Sequence, residues 1–148
     1  MNRFEVDIQV DEAITVAAGT GEQLAAAAAV ALTQQGIAPP AAITILLTDD
    51  EALRRLNREY RGYDETTDVL SFTDGTTWPD GLVYLGDIAI SVPQALRQAP
   101  AGEAGLLDEL RLLTVHGVLH LLGHDHGEPE EKALMWAAQE EILASLSA

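Results

Sequence analysis

All four histidines of the chain fall within residues 116–126 (HGVLHLLGHDH). His116 and His120 are four residues apart, so on a helix they share one face, with Cβ atoms about 5–6 Å apart. Gly123 can take the left-handed conformation that ends a helix and reverses the chain. That reversal can return His126 to the same point. The spacing therefore predicts a metal site formed by His116, His120 and His126.

The chain contains no cysteine, so any metal ion must be held by histidine or carboxylate groups. Three imidazole ligands leave one coordination position open, which is typical of a catalytic zinc site. A metal ion in such a site lowers the pKa of bound water toward about 7 and so makes a nucleophile available. We predict one divalent ion, with Zn²⁺ as the first choice, although imidazole also suits nickel and other ions.

Two neighbours of the predicted ligands have other expected roles. His124 follows the bend, and we expect it to be a solvated loop residue rather than a ligand. Asp125 can either orient a ligating histidine or serve as a turn residue, and the sequence leaves both roles open.

The histidine spacing equals that of the metzincin proteases, which carry a glutamate base directly after the first histidine. Here that position is Gly117. The spacing therefore supports a zinc site, while the missing glutamate argues against a protease.

Four of the eight basic residues cluster in one predicted helix: Arg54, Arg55, Arg58 and Arg61. The net charge of −16 argues against general affinity for nucleic acid, so this positive strip is a local exception. Arg61 adjoins the bend at Gly62, and its guanidinium group can hold two phosphate oxygens at once. For the other three arginines, a solvated helix face is an equally good interpretation.

Hydrophobic periodicity and turn residues predict an α+β fold with a metal site on a central buried helix. We expect a single domain over residues 1–148, in which a mixed four-stranded sheet is packed with about five helices. The predicted strands cover residues 3–10, 42–47, 68–72 and 84–91. The predicted helices cover residues 21–35, a segment from a capping box at 48–51 to about residue 61, a short stretch after 93, residues 105–122 and residues 130–146.

Three further residues have open roles. Asp68 and Asp87 are predicted near strand ends, where either could act as a base or as a partner of a metal ligand, although structural hydrogen bonding is the simpler interpretation. Trp78 lies in a turn-rich loop and could stack on a nucleic-acid base, but covering a hairpin is the simpler role.

We also find neither a signal peptide nor a membrane-spanning run, and therefore expect a soluble, cytoplasmic protein.

Three segments together resemble the YbeY family of metal-dependent endoribonucleases, the bacterial rRNA maturation factors. They are residues 56–72 (LNREYRGYDETTDVLSF), residues 85–91 (LGDIAIS) and residues 116–126. The resemblance implies a single-domain α+β fold and a zinc site made by His116, His120 and His126. It also implies a functional role for Arg61, so that Arg61 and His116 are the expected catalytic residues.

The resemblance further implies cleavage of single-stranded RNA in small-subunit rRNA 3′-end maturation and ribosome quality control. The expected partners are single-stranded RNA, small-subunit rRNA and ribosomal particles, with neither DNA nor a membrane involved. Two alternatives stay open from the residues alone. One is a zinc peptidase with an unconventional base, and the other is a non-catalytic ribosome-assembly factor stabilised by a metal.

Overall fold

A four-stranded sheet runs through the middle of the structure, a computed structural model that describes residues 3–147. Its strands are β1 (Phe4–Val10), β2 (Ala41–Thr48), β3 (Val69–Thr77) and β4 (Val83–Ser91). They lie in the order β1-β2-β4-β3. Strands β1, β2 and β4 are parallel to one another, and β3 pairs antiparallel with β4. The predicted mixed sheet is confirmed, and β3 forms one of its two edges.

In the described part of the chain, five α-helices surround the sheet, as predicted: α1 (Thr20–Gln34), α2 (Asp50–Arg61), α3 (Val92–Gln98), α4 (Leu106–Leu121) and α5 (Pro129–Ser147). A short 3₁₀ turn, Gly102–Gly105, precedes α4. The main core lies between one face of the sheet and helices α1, α4 and α5. Side chains alternate along a strand, so Ala89 of β4 faces the other way and packs with Leu53 of α2 and Leu70 of β3.

Helix α2 starts one residue later than the predicted capping box. The N-cap is Asp49, whose Oδ1 accepts a hydrogen bond from the Ala52 N–H at 2.9 Å. Thr48 is still the last residue of β2, and its hydroxyl donates to Asp11 Oδ2 at 2.9 Å. Because the Thr48 hydroxyl is bound to Asp11, which follows β1, the side chain of Asp49 caps the helix instead.

The hairpin between β3 and β4 is longer than predicted. Strand β3 continues to Thr77 through Gly75, where the pairing register shifts. A bulge of this kind accommodates turn-forming residues without ending the strand. Trp78 stacks on Tyr84, with ring centroids 5.8 Å apart, and thus covers the hairpin. Tyr60 of α2 is 68% exposed, and its ring contacts that of Phe72 of β3, with ring centroids 5.2 Å apart.

Helix α4 crosses β4 at very short range. A Cβ atom added to Gly117 would lie 2.7 Å from Cγ2 of Ile88, closer than packed carbon atoms allow. Glycine at this position therefore lets the helix lie directly on the strand. Within the described residues, we find no helix that is both long and apolar enough to cross a membrane.

Candidate metal centre and cleft

The end of α4 brings the predicted ligands together through its capping motif. Gly123 adopts a positive φ of 97°. The His124 N–H then donates to Leu119 O at 3.0 Å, and the Gly123 N–H donates to His120 O at 3.1 Å. These two bonds form a Schellman motif, which reverses the chain after the helix. The reversal places His126 against the last turn of α4.

The three histidine rings converge on one point. His116 Nε2 and His120 Nε2 are 3.1 Å apart. The ring centroid of His126 lies 5.2 Å from that of His120 and 5.8 Å from that of His116. One nitrogen from each ring lies within 4.8 Å of the other two, so the three residues could hold a metal ion.

Gln139 of α5 fixes the orientation of His116. The His116 Nδ1 atom lies 3.0 Å from Gln139 Oε1, and an amide oxygen can only accept. Nδ1 therefore carries the proton, and Nε2 presents its lone pair toward His120. A metal-binding histidine normally has such a partner on its second nitrogen.

The protonation of the rings also favours metal binding. Burial is the main cause that lowers the pKa of His116 below its usual value, and the nearby His126 adds to it. Burial likewise lowers the pKa of His120, followed by repulsion from His116 and His126. Neutral imidazole is the form that binds a metal ion.

These observations fit a zinc-type donor set. With zinc–nitrogen bonds of 2.0–2.1 Å, two tetrahedral ligands lie about 3.3 Å apart, close to the separation of the His116 and His120 nitrogens. Two lone pairs facing each other at that distance repel unless a proton or a cation lies between them. The arrangement is therefore suited to a divalent ion with three protein ligands.

His124 and Asp125 are not members of this group. His124 Nε2 lies 2.8 Å from Gln35 Oε1, so the ring binds the end of α1 and is half-buried rather than solvated as predicted. Asp125 Oδ1 accepts from the backbone N–H of His126 at 2.7 Å. Of the two roles left open for Asp125, the structure shows the contact of a turn residue.

A cleft of about 630 Å³ opens beside the three histidines. Its lining combines the end of α2, the start of β3 and the end of α4: Arg61, Thr67, Asp68, Val69, Leu70, Ser71, His116, His120, Gly123, His124, Asp125 and His126. Arg61 thus lines the same cleft as the histidines, and its guanidinium group lies 5.5 Å from the centre of the Tyr63 ring. The basic residue singled out in the sequence is therefore part of the cleft lining.

The other arginines of α2 do not form a continuous positive strip. Arg54 binds Asp64 through two hydrogen bonds, with Nε 2.8 Å from Oδ1 and Nη2 3.2 Å from Oδ2. Arg58 Nη1 lies 3.7 Å from the same Asp64 Oδ1. Asp64 therefore offsets one positive charge of the predicted strip, whereas no salt bridge within residues 3–147 involves Arg61.

The two aspartates with open roles are separated by the sheet. Asp68 lines the cleft, where Gln98 Nε2 donates to its Oδ2 at 3.3 Å. Asp87 lies within β4 rather than near its end, on the face away from α4, and accepts from the hydroxyl of Tyr84. Of these two aspartates, Asp68 is therefore the one that lines the histidine cleft.

Two α5 residues near the histidines were missed from the sequence. Gln139 belongs to a buried helical stripe with Met135 and Ile142, and one polar member in an apolar stripe is a signal that could have revealed it. Trp136 lies with its ring centre 5.9 Å from that of His116 and 5.8 Å from that of His126. Its signal is weaker, because an aromatic residue on a helix is usually part of the core.

Comparison with known proteins agrees with these features. The sequence profile of the family described as Endoribonuclease YbeY matches residues 7–147. The chain belongs to the YbeY endoribonuclease family. A YbeY relative from Chloroflexus aurantiacus, named endoribonuclease YbeY, is 43% identical over 150 residues, covering 97% of this chain and 96% of the relative. A relative of the same name from Moorella thermoacetica is 43% identical over 154 residues, covering 99% and 95%.

A solved structure supports the fold independently. The solution structure of a Thermotoga maritima protein matches with a TM-score of 0.61 at 22% identity, covering 95% of this chain and 88% of that protein. At that identity the likeness concerns the fold alone. The sequence-based resemblance to the YbeY family and the predicted α+β fold are thus both confirmed.

Proposed function

We propose that this chain is a metal-dependent endoribonuclease that cleaves single-stranded RNA, as one domain over residues 1–148. The observation that carries the proposal is that the three convergent histidines and Arg61 line the same cleft. Membership of a family named for endoribonuclease activity supports the same function. The negative charge of an RNA backbone would be attracted both to a metal ion held by the histidines and to the Arg61 guanidinium group.

The residues of the cleft would divide the work as follows. His116, His120 and His126 would hold the ion, for which we propose Zn²⁺. When bound, that ion supplies Lewis-acid charge and a water molecule of lowered pKa. Arg61 would hold the non-bridging phosphate oxygens, where negative charge grows during attack. Asp68, on the wall of the cleft, is a carboxylate that could accept a proton there.

The biological setting that we propose is small-subunit rRNA 3′-end maturation and ribosome quality control in the cytoplasm, with ribosomal particles as partners. The support for this setting is membership of the YbeY endoribonuclease family.

The test combines elemental analysis with a cleavage assay on single-stranded RNA. We expect His116→Ala to lose both the bound metal and the activity. Arg61→Ala should keep the metal but lose activity by about 100-fold or more, as expected for removal of one charge-stabilising group. Arg58→Ala, on the same helix but bound to Asp64, is the matched control and should stay active.

Equal cleavage by the wild type, His116→Ala and Arg61→Ala would refute the proposal. Incubation of the same preparations with an unstructured protein tests the peptidase alternative. Metal-dependent stabilisation without cleavage of either substrate would instead favour the non-catalytic assembly factor.

A further inference from the structure

The start of β3 forms a wall of the cleft with an unpaired strand edge. Strand β3 is the last strand of the sheet, with β4 on one side only. Val69, Leu70 and Ser71 all line the cleft. A ligand that enters the cleft beside the histidines can therefore contact the backbone on the outer side of β3.

The pairing pattern shows which backbone groups point outward. The Ser91 N–H donates to Asp68 O at 2.9 Å, so these two residues form a hydrogen-bonded pair. The register continues with Val69 opposite Ile90 and Leu70 opposite Ala89. Bonded and non-bonded pairs alternate in an antiparallel ladder. Leu70 therefore turns its N–H and C=O toward β4, while Val69 and Ser71 turn theirs away from the sheet.

These outward groups have no partner within residues 3–147. No hydrogen bond outside the strand pairing uses the backbone N–H or C=O of Val69 or Ser71. The Ser71 hydroxyl, in contrast, donates to Gly117 O at 3.0 Å. This bond ties β3 to α4 between the two histidines of the helix, so the free edge is held at a fixed position relative to the metal ligands.

We propose that this edge is a binding rail for the RNA backbone, in which the N–H groups of Val69 and Ser71 donate to successive phosphates. The inference rests on the proposed function. Residues two apart on a strand are spaced by about 6.8 Å, which suits neighbouring phosphates of an extended single strand. The outward carbonyl groups are acceptors for ribose 2′-hydroxyls, which DNA lacks.

The rail also accounts for phosphate binding by a strongly acidic protein. The chain carries a net charge of −16, and Arg61 is the one lysine or arginine among the residues that line the cleft. Backbone N–H groups can bind phosphate without a positively charged side chain, and such contacts are common in proteins that bind nucleic acids. A row of neutral donors beside one guanidinium group supplies affinity where basic side chains are few.

A proline substitution removes one outward N–H while the ladder remains intact. Val69 is the first residue of β3 and its N–H points away from β4, and proline is tolerated at such positions. We expect Val69→Pro to raise the KM for single-stranded RNA about tenfold or more, since hydrogen bonds to charged groups are stronger than average. Val69→Ala shortens the same side chain but keeps the N–H, so the KM of Val69→Pro should exceed that of Val69→Ala by about tenfold.

Thr73→Pro is the matched backbone control. Thr73 is the next outward residue of the same strand beyond Ser71, and it lies outside the lining of the cleft. The substitution should leave KM unchanged. Thermal melting of each metal-loaded variant checks that the fold is retained.

Nuclear magnetic resonance of the metal-loaded wild type tests the rail without any substitution. On addition of a short single-stranded RNA, at a temperature where cleavage is slow, the amide signals of Val69 and Ser71 should shift more than that of Thr73. DNA of the same sequence should bind more weakly.

Any of three results would overturn the rail. The first is a KM of Val69→Pro equal to that of Val69→Ala. The second is that RNA does not shift the amide signals of Val69 and Ser71, and the third is that an unstructured peptide shifts these signals while RNA does not. If the wild type cleaves RNA and any of these is observed, the rail fails and the endoribonuclease proposal stands. If the wild type neither binds nor cleaves RNA, both fail.

Discussion

Replacing Gln139 by leucine should weaken metal binding although Gln139 itself does not face the proposed ion. Its Oε1 accepts from His116 Nδ1 at 3.0 Å, and the side chain is only 9% exposed. Leucine has a similar size but cannot accept a hydrogen bond. The His116 ring would then lose both its orientation and the partner that keeps the proton on Nδ1.

The size of the effect follows from these two losses. A neutral hydrogen bond contributes about 1 kcal/mol net, and an N–H left without a partner in a half-buried site adds a desolvation cost. Loss of such a partner behind a ligating histidine typically weakens metal binding by about 10–100-fold. That range corresponds to about 1.4–2.8 kcal/mol. We therefore expect Gln139→Leu to bind the ion at least about tenfold more weakly.

Tryptophan emission provides the assay. The Trp136 ring lies within 6 Å of two of the three histidines, so a quenching ion such as Ni²⁺ bound there should reduce its emission. Trp78→Phe removes the other tryptophan from the signal. Titration with Ni²⁺ in this background then gives the affinity with and without Gln139→Leu.

Two controls separate loss of metal affinity from damage to the fold. Gln139→Glu keeps an acceptor and should bind the ion as tightly as the wild type or more tightly, because a carboxylate makes the ligand more basic. Gln139→Leu should also still melt cooperatively in EDTA and close to the wild type, since burial of the leucine in an apolar stripe offsets much of the lost hydrogen bond. Unchanged Ni²⁺ affinity in Gln139→Leu would show that the contact with His116 does not position a ligand.

Two further predictions concern stability. Gly117→Ala should reduce the free energy of unfolding by about 1–3 kcal/mol in urea denaturation, because its Cβ would overlap Ile88, whereas Gly127→Ala, whose nearest contact is 3.7 Å, should have little effect. The metal-free protein should lose stability as the pH falls below about 6.5, since the lowered pKa values of His116 and His120 mean that the unfolded chain takes up more protons there. Urea denaturation in EDTA at several pH values checks this, and a flat profile would contradict it.

The histidine site is the part that the sequence predicted best, because its information is local. His116 and His120 depend only on the helical repeat, and the position of His126 depends on one glycine that ends the helix. Arg61, for which the sequence suggested a functional role, lines the same cleft as the histidines. What made this possible is that the relevant residues lie next to turns that their own sequence specifies.

The parts that were missed depend on contacts between distant segments. Gln139 approaches His116 from another helix, 23 residues further along the chain. Asp64 removes Arg54 and Arg58 from the expected positive strip only because the loop after α2 folds back onto that helix. No local pattern contains this information, since it arises from how the elements pack.

The packing of α4 also explains why a histidine spacing shared with the metzincins need not lead to the same chemistry. Position 117, where those proteases carry their base, faces Ile88 of β4 so closely that not even a Cβ atom fits. A glutamate there could not reach the cleft without displacing the helix from the sheet. The carboxylates that line the cleft are Asp68 and Asp125, and Asp125 already binds the His126 backbone. Asp68 lies on the β3 side of the cleft, immediately before the free strand edge, and is the carboxylate that we propose as proton acceptor.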